Sequence, residues 1–80
     1  MTDGYVYLCM TRNSWGSGKS EAEALANCKR QDYSAVRDAG YIIYEVHKDF
    51  TVDEINGNVY TPTGHPAIKI KDKRKGKRNG

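Results

Sequence analysis

The stretch Tyr5 to Thr11 (YVYLCMT) alternates with the period of a β-strand and carries large side chains on both faces. Val6, Leu8 and Met10 share one face; Tyr5, Tyr7 and Cys9 share the other. A strand loaded on both sides reads as a central one. The run Tyr41 to His47 (YIIYEVH) is β-branched and aromatic enough to be a second strand, with Ile42, Tyr44 and Val46 on one face and Tyr41, Ile43, Glu45 and His47 on the other.

Between these runs the chain changes character twice. Arg12 to Ser20 (RNSWGSGKS) gathers two glycines and three serines and reads as a loop. Ser20 with Glu23 then fits an S-x-x-E capping box, and Glu21 to Gln31 (EAEALANCKRQ) is rich in good helix formers, so a helix starts here. Ala22, Leu25, Ala26, Tyr33 and Val36 fall on one helical stripe, compatible with a single helix to about Ala39 closed by Gly40. A break near Asp32 with a short second helical turn is the alternative. Downstream, Phe50 to Thr61 (FTVDEINGNVYT) sets Asn56-Gly57 between short β-prone runs, the signal of a two-residue hairpin. Pro62 and Pro66 bracket a turn, and Ala67 to Lys71 (AIKIK) alternates again. The order β-α-β-β-β predicts one small α+β domain over residues 1–71, with one helix packed on a mainly antiparallel sheet, followed by a basic tail over 72–80.

A chain of 80 residues buries only roughly 60 to 65% of its unfolded surface on folding, so its core is thin and a deep catalytic cavity is not expected. Six tyrosines, one tryptophan and 38% hydrophobic residues argue against a disordered chain. The first residues have neither a basic n-region nor an apolar h-region, and no apolar run approaches a membrane span. The chain therefore reads as a soluble, cytoplasmic protein without a membrane partner, its Cys9 and Cys28 being buried thiols of a reducing compartment.

Charge is unevenly placed. Lys69, Lys71, Lys73, Arg74, Lys75, Lys77 and Arg78 against Asp72 give the last twelve residues +6, while Met1 to Ile68 holds nine acids and six bases. A mildly acidic body thus carries a strongly basic end, and such an end attracts polyanions. Neutralising about five to seven phosphates would make binding steeply salt-dependent.

Other motifs fall short of a defined chemistry. Gly16-Ser17-Gly18-Lys19-Ser20 ends as a phosphate-binding P-loop does, but Asn13 stands where that pattern requires glycine. Val6-Tyr7-Leu8 and Tyr41-Ile42-Ile43-Tyr44 resemble the two ribonucleoprotein motifs of the RNA-recognition fold only in outline. Asp38 and Ala39 replace the glycine and aromatic of one, and Met10 the asparagine of the other. His47, His65, Cys9 and Cys28 lack zinc spacing, and Asp49, Asp53 and Glu54 lack the run of a calcium loop.

The expectation is a non-enzymatic protein with no catalytic residues, no metal and no cofactor. It would contact RNA or DNA through Lys69, Lys71, Lys73, Arg74, Lys75, Lys77 and Arg78, aided by Arg12 and Lys19. With the helix laid over Val6, Leu8 and Met10, Tyr5 and Tyr7 would face outward as a stacking platform. The alternative is a small phage-type inhibitor or adaptor that binds a host protein or nucleoprotein complex through its acidic body or a sheet edge, using Trp15, Glu45, Asp49, Asp53 and Glu54.

Overall fold

The computed structural model describes residues 4–12 and 14–75. Their elements run β1 (Tyr5–Met10), β2 (Trp15–Gly18), α1 (Glu21–Gln31), α2 (Tyr33–Ala39), β3 (Ile42–His47), β4 (Thr51–Asp53), β5 (Asn58–Tyr60) and β6 (Ile68–Asp72). The main sheet has the order β2-β1-β3-β6 with every pairing antiparallel, and β4 with β5 forms a separate two-stranded sheet. The α+β class is as expected, and β1 lies inside the sheet. No helix among the described residues is long and apolar enough to cross a membrane.

Residues 15–18, expected as loop, are a strand paired to β1, with Cys9 opposite Gly16 and Met10 opposite Trp15. Glycine and serine have little strand propensity; here tertiary approach decides. Gly16 is buried under α1 so closely that a methyl group there would land on the Cys28 nitrogen and lie 2.6 Å from the Asn27 carbonyl carbon. Asn27 fastens the contact by donating from Nδ2 to the Ser17 carbonyl at 2.6 Å.

The helical region is two helices. Ser20 caps α1, its Oγ accepting from the Glu23 amide at 3.1 Å. At the junction Asp32 adopts an extended backbone, donates its N–H to the Cys28 carbonyl and accepts the Ala35 amide on Oδ1 at 3.1 Å. One residue thus closes α1 and opens α2, because an aspartate satisfies an orphan amide more readily than it continues a helix.

Both faces of the sheet are covered, and the helices lie on the face opposite to the one expected. Cys9 and Ile43 pack with Ala24, Cys28 and Val36, and Tyr7 and Tyr41 lean against that cluster. Tyr7 is therefore under the helices, not on an outer platform. Leu8 and Val46, both fully buried, lie on the opposite face together with Trp15. There Trp15 meets the Phe50 ring edge-on at 5.8 Å and donates Nε1–H to Glu54 at 3.0 Å. Burying Leu8, Ile43 and Val46 contributes roughly 1.5 to 3 kcal/mol each. The β4–β5 turn uses four residues, not two: Asp53 faces Asn58, its carboxylate accepts the Ile55 and Asn56 amides, and Gly57 takes the positive φ of 73° that ends the turn.

Candidate nucleic-acid interface

β6 places its side chains by register. Tyr44 faces Lys69, Ile43 faces Lys71 and Ile42 faces Asp72, with a bulge at Ile70 between the first two pairs. Directly opposed residues share a face, so Lys69 and Asp72 lie with Tyr44 and Ile42, whereas Lys71 lies on the helix side. Lys71 is committed there: its Nζ sits 2.8 Å from Glu21 Oε1, and this pairing raises its pKa.

The chain does not leave the body after β6. Lys73 donates its amide to the Tyr41 carbonyl at 2.7 Å and Lys75 donates to the Ala39 carbonyl at 2.8 Å, so 73–75 form a strap across the end of α2. Gly40 makes the strap possible. Its φ of 82° is poorly tolerated by other residues, and a methyl group there would collide with the Lys73 carbonyl oxygen. Lys75 adds a second fastening, from Nζ to the Arg37 carbonyl at 2.6 Å.

Between this strap and the β1–β2 turn lies a cleft of about 440 Å³. Its floor includes Met10, Ile42 and Tyr44; Arg12 stands on one side, Arg74 and Lys75 on the other. Arg74 is oriented by Asp72, which accepts its Nε–H at 3.0 Å and its Nη2–H at 2.7 Å. The same bonds hold the Asp72 carboxyl well below the usual carboxylate range and raise Arg74, whose charge also interacts with Tyr44. Lys69 Nζ lies 3.6 Å from Oδ2 of that carboxylate, the oxygen that also accepts from Arg74 Nη2. Arg12 makes no ion pair among the described residues, and its charge acts at longer range on Asp32 and Asp38.

The expected contact residues are thus divided. Arg12, Arg74 and Lys75 converge on the cleft, Lys69 lies on its sheet face, and Lys73 is exposed on the strap. Lys19 lies at the other end of β2, where its amide donates to Glu23 Oε1 at 2.6 Å. That carboxylate fills the place an anion would take in a phosphate loop, and Gly18 packs against the same side chain. Tyr5 is turned to the far end of the sheet, its hydroxyl 2.6 Å from His65 Nδ1 and its ring beside His47. Lys77 and Arg78 lie outside the described residues.

Trp15 and Glu54 bond to each other. Asp53 is occupied by its own turn, Asp49 lies 3.8 Å from His47, and Glu45 is half-buried opposite Tyr7. No three His, Cys, Asp or Glu side chains among the described residues are grouped so as to hold a metal ion. Sequence reasoning missed Tyr44, Met10 and Ile42 as site residues. The only signal was their shared strand face, which points into the cleft because the helices occupy the other side.

No family model matches the chain, and no curated protein or solved structure does.

Proposed function

We propose that the protein is a non-enzymatic nucleic-acid-binding module that holds the phosphodiester backbone at the cleft between the β1–β2 turn and the C-terminal strap. The observation that carries this reading is the convergence of Arg12 with Arg74 and Lys75, from opposite ends of the described chain, on one opening. Arg12 and Lys75, which make no ion pair among the described residues, join Arg74, whose charge Asp72 partly offsets; charges gathered around a concave surface concentrate positive potential as a solvated tail does not. Lys69 and Lys73 extend the same field along the sheet face and strap. A cytoplasmic setting suits this role, since both thiols are free and buried.

Titration of a generic RNA or DNA oligonucleotide across a salt series tests the reading. Affinity should fall with salt, and replacing Arg12 and Lys75 together by alanine should lower the magnitude of the logarithmic salt slope by about 1.5. Truncation after Lys75 separates the cleft from the residues beyond it. If truncation abolishes binding and the double substitution leaves it unchanged, the cleft is not the site.

Ile55, 94% exposed at the β4–β5 turn beside acidic neighbours, favours a second reading as a protein-binding surface. It is a single residue, and the acids around it are already engaged, so it supports less than the cleft does.

A further inference from the structure

Building on the nucleic-acid reading, we propose that the cleft takes an unpaired nucleotide, with its base on Tyr44 and its flanking phosphates on Arg12 and Arg74. The cleft has two chemistries in one place. Its floor is apolar and aromatic, formed by Met10, Ile42 and Tyr44, whereas its rim is cationic. A rim alone would suit any polyanion, and a floor alone any apolar group. Together they match a ligand with a flat, weakly polar face joined to an anion, which describes a nucleotide whose base is not covered by a neighbour.

A continuous duplex does not offer that face, because its bases are stacked and paired and present only edges in the grooves. The volume agrees: about 440 Å³ falls within the span of pockets that take small ligands, roughly 300 to 1,000 Å³, and is far too small for a duplex. Tyr44 sits on β3 opposite Lys69 and two pairs away from Asp72, whose carboxylate aims the Arg74 guanidinium while leaving its remaining N–H groups for phosphate. Arg12 closes the opposite side, so a strand crossing the cleft meets a cation on either side of the base.

Fluorescence anisotropy at one salt concentration decides the matter, with four probes of similar charge: a single-stranded RNA, a single-stranded DNA, a duplex and heparin. Both single strands should bind about ten-fold or more tightly than the duplex or heparin, and the RNA-to-DNA ratio reports which source of unpaired nucleotide is preferred. Tyr44→Leu should lower single-strand affinity about ten-fold and leave heparin binding unchanged, whereas Tyr44→Phe should retain affinity. Equal binding of all four probes by the unaltered protein would overturn the unpaired-nucleotide claim and leave the polyanion reading standing. Failure of every probe to bind would overturn both. The comparison among probes needs no variant, so a misfolded Tyr44→Leu would not leave the question open.

Discussion

Gly16 lies directly against the backbone of α1, and nothing but hydrogen fits there. Gly16→Ala forces α1 away from β2 around Cys28 and should cost roughly 1 to 3 kcal/mol as overpacking. A lowered urea midpoint with an unchanged slope is the expected result; an unchanged midpoint would mean the helix is not seated on this glycine. Beside it, the Cys28 thiol packs in one cluster with Cys9, and the Ser14 Oγ lies 3.6 Å from its Sγ. These interactions lower the Cys28 thiol below its ordinary value against the opposing effect of burial, while Cys9 is raised. Individual residues were only partly legible in sequence. The alternation in Tyr5 to Thr11 sorts its side chains into two sets correctly, but alternation is symmetric and does not say which set meets the helices. That one undetermined choice hid Tyr44 and put Tyr7 on the wrong side.

Asp32 joins the two helices, and its carboxylate is depressed below the usual range, chiefly by the Ser34 hydroxyl and then by the Ala35 amide. Asp32→Ala should lower the melting temperature by about 3 to 6 °C, because α2 loses its cap. Asp38, Asp53 and Asp72 are depressed too, by Arg37, Asn56 and Arg74 respectively. A carboxyl whose folded pKa lies below its unfolded value near 3.8 stabilises the fold fully above that value, and the contribution is lost as pH falls through the folded one. Urea midpoints should therefore hold level between about pH 5 and 8 as far as these groups act, then drop below about pH 4. A profile flat to pH 2 would show that these carboxylates do not stabilise the fold. At this level the sequence was informative wherever a local pattern carried its own cause: the capping box, the hydrophobic alternation, the asparagine-glycine hairpin. It misled at β2, whose strand conformation comes from contact with α1, and at the hairpin loop, where Asp53 binds two amides and lengthens the turn.

Taken as a whole, the molecule uses both ends of its described chain to build one opening, and this was the least legible property of the sequence. Composition located the positive charge but not its attachment, since the strap depends on two backbone hydrogen bonds and on the conformation of Gly40, thirty-odd residues earlier in the chain. β6 is an edge strand whose pairing is interrupted by a bulge, and edges of this kind open locally more often than a core does. In hydrogen exchange, a bound single-stranded oligonucleotide should slow the Lys73 and Lys75 amides more than those of α1; equal slowing everywhere would place the ligand away from the strap. A ligand that grips Arg12 and Arg74 at once acts as a staple across sixty-two residues of chain, so occupancy of the cleft and closure of the sheet edge become one equilibrium read in two ways.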